Sequence, residues 1–117
     1  MKLQKLDWST PQREDYYLPA EKLLIGNPKQ SVWMNYTDPT DKFFVGTWFS
    51  EIGKWNISYT EEEYCELLEG TSVITDEAGQ SVTVTKGDRF VVPRGFTGTW
   101  EVVQPTRKTF VIYEAGE

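Results

Sequence analysis

An all-β sandwich or barrel is the fold class this sequence predicts, and three observations carry it. From Phe43 onward, turn residues recur about every 8–12 positions, the spacing of short strands joined by tight connections. Between the turns run β-branched and aromatic residues that alternate in polarity. No stretch keeps a helical period for a useful length. The amphipathic alternative at 61–69 sits among strand formers and stops at Gly70.

The elements follow in order. Pro11, Pro19, Pro28 and Pro39, with Gly26, interrupt every candidate helix in the first third of the chain. Residues 1–42 therefore read as an extended N-terminal arm with edge strands packing on a barrel at 43–117, one domain overall. Within the arm, 23–25 is a short edge strand or turn, and 31–36 alternates as a strand. Strands are expected at 43–51, 54–60, 64–68, 72–75, 81–85, 90–92, 98–103 and 108–114. In the second of these, Trp55, Ile57 and Tyr59 share one face, while Asn56 and Ser58 share the other. Asp76-Glu77-Ala78-Gly79-Gln80 has the composition of a hairpin turn.

Composition narrows function. The chain has 117 residues, a net charge of −6, one cysteine and no histidine. Without histidine there is no imidazole acid–base catalysis, no Ser-His-Asp or Cys-His nucleophile, and no metal site that needs imidazole. The single Cys65 makes neither an intramolecular disulfide nor a thiolate zinc site. A free thiol with no signal peptide points to the cytoplasm, and no apolar run approaches a membrane span. Between residues 60 and 80 there are seven acids (Glu61, Glu62, Glu63, Glu66, Glu69, Asp76, Glu77) and no base, a surface that repels nucleic acid.

Two glycine-anchored blocks carry a family resemblance. One runs from Gly53 through an alternating strand to Glu63 and Gly70; the other is Gly87-Asp88, Pro93-Arg94-Gly95, then a strand from Gly98. Their spacing resembles the two motifs of the cupin superfamily. The stretch from Gly46 to Tyr113 is similar to the small single-domain cupins of the ureidoglycine aminohydrolase and ethanolamine-utilisation group. The resemblance implies a double-stranded β-helix, or jelly-roll barrel. It also implies a His-x-His pair, a glutamate and a third histidine around a metal. At the commonest spacing the histidine positions fall on Asn56, Ser58 and Gly98, and only Glu63 survives. A one-residue shift offers Ile57 and Tyr59 instead. An amide, a hydroxyl and one carboxylate suit a transition metal poorly, so no metal and no cofactor are expected.

What remains is a cavity for a small molecule. If Glu63 points inward as the resemblance implies, so do Cys65 and Leu67, with Asn56 and Ser58 opposite. Trp100 shares the face of Gly98, and Trp48 and Phe90 complete the candidate wall. Glu63 is the candidate catalytic residue: either a buried acid with a raised pKa that carries protons, or a group paired with a base or bonded to Asn56 or Ser58. Lys54, Arg89 and Arg94 are candidate carboxylate anchors at the mouth. Cys65 is read as a core residue.

Three functions fit: a metal-free cupin that binds a small polar metabolite, with acid–base chemistry through Glu63; a ligand-sensing or structural dimer module; or an enzyme akin to ureidoglycine aminohydrolase. A homodimer is expected, paired through an outward patch of Trp55, Ile57 and Tyr59.

Overall fold

The computed structural model describes residues 1–7 and 12–115, and Pro11, counted among the helix breakers, falls outside them. Nine strands appear among the described residues: β1 (Glu14–Tyr16), β2 (Leu23–Ile25), β3 (Gln30–Thr37), β4 (Phe43–Ser50), β5 (Gly53–Ser58), β6 (Glu62–Asp76), β7 (Ser81–Thr85), β8 (Arg89–Val92) and β9 (Thr97–Tyr113). A single 3-10 turn, Ala20–Lys22, leads into β2. None of the described helices is long and apolar enough to cross a membrane.

Two long strands organise the barrel. β6 and β9 run antiparallel along their whole length, from Glu62 opposite Tyr113 to Asp76 opposite Gly98. The C-terminal half of β9 also pairs with β4, which continues through β3 to β1. Its N-terminal half pairs instead with β5, which continues to β2. β8 extends β6 on the first side and β7 extends it on the second. One sheet thus curls into two facing walls, the double-stranded β-helix expected of the sequence.

The breaks expected at Gly70 and at Gln104-Pro105 are not turns. Each is a bend inside a continuous strand, so 64–68 joins 72–75 and 98–103 joins 108–114. The register of β6 slips repeatedly between Leu67 and Ser72, as a bulged corner requires. Gly70 has a φ of +93°, and an added Cβ would overlap the Pro105 carbonyl oxygen. Glycine is needed there because two strands cross at a corner, which leaves no room for a side chain.

The interior holds Trp48, Trp55, Leu67, Ile74, Trp100, Val102 and Phe110, all buried. This corrects the faces assigned to β5. Trp55 lies directly opposite Trp100, so the two side chains share a face, and that face is the interior. Asn56 and Ser58 point to solvent. Burying an indole and an aliphatic chain outweighs keeping an amide and a hydroxyl inside. The outward patch invoked for a homodimer, Trp55, Ile57 and Tyr59, is therefore the barrel lining and offers no pairing surface.

Candidate functional site

The register places the site. Val32, Trp48, Lys108 and Leu67 lie side by side across β3, β4, β9 and β6, and so point to one face. Met34, Gly46, Phe110 and Cys65 form the next row on that face. Gly46 has no side chain, and the Phe110 ring fills its place. Between these rows and the opposite wall of β5 lies a cavity of about 310 Å³. Three tryptophans, Trp48, Trp55 and Trp100, line it together with Ile57 and Phe110.

Its polar centre is a buried ion pair. Lys108 Nζ donates to Glu63 Oε2 at 3.0 Å, and each side chain keeps only 6% of its surface exposed. The ammonium also sits 4.7 Å from the Trp48 ring centroid and 4.5 Å from that of Trp100, within cation–π range of both. Those two rings meet edge to face at 5.6 Å, and Trp55 meets Trp48 similarly at 6.1 Å. Strand alternation explains the lysine: Lys108, Phe110 and Ile112 have one parity, and all three line the cavity.

A second polar cluster borders the cavity at Trp48. Trp48 Nε1 donates to both Gln30 Oε1 at 3.0 Å and Tyr16 Oη at 3.1 Å. Gln30 Nε2 and Trp100 Nε1 are buried with no hydrogen-bond partner among the described residues.

Burial opposes charge at Lys108, but its interactions with Cys65, Glu63 and Tyr59, of which only the Glu63 carboxylate is charged at neutral pH, outweigh burial and raise its pKa above 10.5. Glu63 supplies the contact that fixes the ammonium. Burial pushes the Cys65 thiol up to about 12, even with the Lys108 charge pulling it down, so it stays protonated and inert. Burial likewise raises the phenols of Tyr16 and Tyr59.

Each of these groups has a folded pKa above its unfolded value, so each contributes stability that is whole at neutral pH and lost as pH rises. The loss starts near the ordinary thiol value of 9.0 for Cys65 and is joined above 10.5 by Lys108. Urea unfolding midpoints should fall from about pH 9 to pH 11, and Cys65→Ala should flatten the first part of that fall. A midpoint unchanged over this range would contradict the burial of these groups.

The sequence-derived site divides. Trp48, Glu63 and Trp100 meet at the cavity. Cys65 lies beside the ion pair, fully buried, but does not line the cavity. Phe90 packs behind Trp100, ring to ring at 6.1 Å, and lines a separate hollow of about 130 Å³ with Ile74, Val84 and Phe96. Asn56 and Ser58 border a separate hollow of about 180 Å³ with Leu18 and Lys22. Lys54, Arg89 and Arg94 are absent from the cavity wall; the base that meets the carboxylate is Lys108. Its signal was available, since it stands two residues before Phe110 and four before Ile112 on an apolar strand face.

The arrangement does not fit a transition metal. The inward residues here are Trp55 and Ile57 on β5 and Tyr59 just beyond it, and Ile57 lies opposite Gly98. Of the histidine positions of the resemblance, Asn56 and Ser58 face solvent and Gly98 has no side chain. The one-residue shift that does face inward supplies only an alkyl chain, Ile57, and a phenol kept neutral by burial, Tyr59. Among the described residues no three of His, Cys, Asp and Glu converge. Gly98 could not take a ligand either, because a Cβ there would overlap the Thr75 carbonyl oxygen.

Comparison with known proteins agrees with this architecture. A Pseudomonas syringae protein of unknown function from the DUF861 family superposes with a TM-score of 0.81 at 22% identity over 92% of this chain. This chain spans just under half of that protein, 46% of its length. A putative ethanolamine utilisation protein Q from Salmonella typhimurium matches over 92% of this chain and 99% of its own, with a TM-score of 0.68 at 14% identity. A Thermotoga maritima protein described as a predicted oxalate decarboxylase gives 0.71 at 14% identity, over 94% of this chain and 98% of its own. No curated protein matches. The model of the EutQ-like cupin domain matches residues 37–110, well over half of the sequence and all of the barrel from β4 to the inner part of β9, so the chain belongs to the EutQ-like cupins.

Proposed function

We propose that this cupin binds a small molecule in the barrel cavity without a metal, using the Lys108–Glu63 pair as its fixed polar centre. The observation that carries the reading is the cavity of about 310 Å³, lined by three tryptophans around a buried ion pair. A mostly apolar hollow with a few converging polar groups is the usual form of a small-molecule site. A purely structural barrel closed by its own aromatics has less support, because Trp48 and Trp100 pack together and space still remains.

Binding is favoured over acid–base chemistry. Lys108 holds its proton well beyond neutral pH, and Glu63 could move a proton only by leaving a lysine that has no other buried carboxylate to meet. The aminohydrolase reading rests on a metal centre that the donor set does not fit.

A metabolite screen read by tryptophan emission tests this directly. Ile57→Trp fills the cavity from the β5 wall, at a cost of about 1–3 kcal/mol in stability. Every hit should lose at least about tenfold in affinity in that variant. Hits that survive unchanged would place binding elsewhere and remove the proposal.

A further inference from the structure

We propose that the ligand is a small, mainly apolar molecule that presents an oxygen acceptor, a carboxylate or carbonyl, to Gln30, Trp100 and Lys108. This rests on the binding role proposed for the cavity and names the chemistry that role selects.

The count of hydrogen-bonding groups decides it. Gln30 is 2% exposed and Trp100 is 2% exposed, yet Gln30 Nε2 and Trp100 Nε1 have no partner among the described residues. Both residues line the cavity. Gln30 cannot turn its amide over to find one, since its Oε1 accepts from Trp48 Nε1. The amide nitrogen is thereby fixed as a donor. Lys108 carries three protons, and Glu63 Oε2 takes one. Among the described residues, the unpartnered buried groups on the cavity wall, those of Gln30 and Trp100, are therefore donors.

Buried donors left unmade are costly, so they favour a guest that brings lone pairs. A guest amine would compete with Lys108 for Glu63 and would set two cations in one hollow. An acceptor oxygen meets no such conflict. The indole faces and Ile57 then cover the apolar remainder, and about 310 Å³ accommodates a ring with a short substituent.

Four fragments that share one ring separate the alternatives: benzoate, benzamide, toluene and benzylamine, titrated by quenching of tryptophan emission. Benzoate and benzamide should bind at least about tenfold more tightly than toluene and benzylamine. Gln30→Glu keeps the oxygen that meets Trp48 but removes both amide protons; Trp100→Phe removes the indole proton and keeps a ring. Either variant should weaken the acceptor fragments about tenfold while leaving toluene unchanged. Trp100→Phe decides the matter should Gln30→Glu fail to fold.

Tighter binding of benzylamine, equal binding of all four, or acceptor binding that neither variant weakens would each overturn this ligand class and leave the cavity as a binding site. If no fragment binds at all, the binding role falls with it.

Discussion

Lys108→Met should destabilise the protein by about 3–5 kcal/mol, because it leaves the Glu63 carboxylate buried with no counter-charge. For a domain of this length that corresponds to a fall in Tm of roughly 10–20 °C. Methionine keeps most of the lysine stem, so the loss reports the charge and not a cavity. Glu63→Gln should cost a comparable amount, since it strands the ammonium within two indole faces that cannot replace a carboxylate. The double variant Glu63→Gln/Lys108→Met should recover most of the stability, because a neutral pair has little desolvation to repay. Thermal unfolding of the four proteins forms a double-mutant cycle. Additive losses, with the double variant as weak as the sum of the singles, would mean that the two groups do not compensate each other.

The cycle also bears on function. An ammonium held 3.0 Å from Glu63 supplies a positive charge near the middle of the barrel, where the cupin resemblance places a metal. A lysine provides one unit of charge and hydrogen-bond donors, but no open coordination position. It can hold an oxygen atom in place; it cannot activate water as a Lewis acid does. A barrel with this centre is consistent with the binding role proposed above.

Much of this was legible in the residues. Turn spacing and alternation identified an all-β barrel, and the glycine and proline anchors selected the jelly roll. The strand breaks at Gly70 and Pro105 were misplaced for an intelligible reason: glycine and proline punctuate sequences in the same way whether a chain reverses or a strand bends at a sheet corner. Only the pairing across β6 and β9 tells these apart, and that pairing is long-range. The cavity wall was half visible. Trp48, Glu63 and Trp100 do line the cavity, but motif spacing set Asn56 and Ser58 inside against the apolar parity of Trp55, Ile57 and Tyr59. The apolar parity was the better guide, since burial free energy acts on this chain whereas motif spacing describes its relatives. Gln30 and Tyr16 had no local signal. They reach the cavity because Tyr16 on β1 pairs with Gln30 on β3 at the sheet edge, a contact between segments far apart in sequence.

Gly98→His should be the most damaging attempt to restore a metal ligand, with a loss of about 3 kcal/mol or more, and it should bring no gain in metal affinity. The side chain would start from a Cβ that overlaps the Thr75 carbonyl oxygen, and the Asp76 backbone stands close behind. Thr75 and Asp76 are paired to β9 at this point, so neither can retreat without opening the ladder. Gly98→Ala should already incur most of the loss, which separates a backbone collision from the bulk of imidazole. Gly79→Ala is the matched control: its φ is +87°, but nothing lies within 4 Å of the added atom, so only backbone strain of about 1–2 kcal/mol is expected. Urea unfolding should therefore rank the variants Gly79→Ala, then Gly98→Ala, then Gly98→His, in order of increasing damage. A Gly98→His protein as stable as the parent would show that β6 yields freely at Thr75, and the close approach of the two long strands would no longer explain why this position carries no side chain.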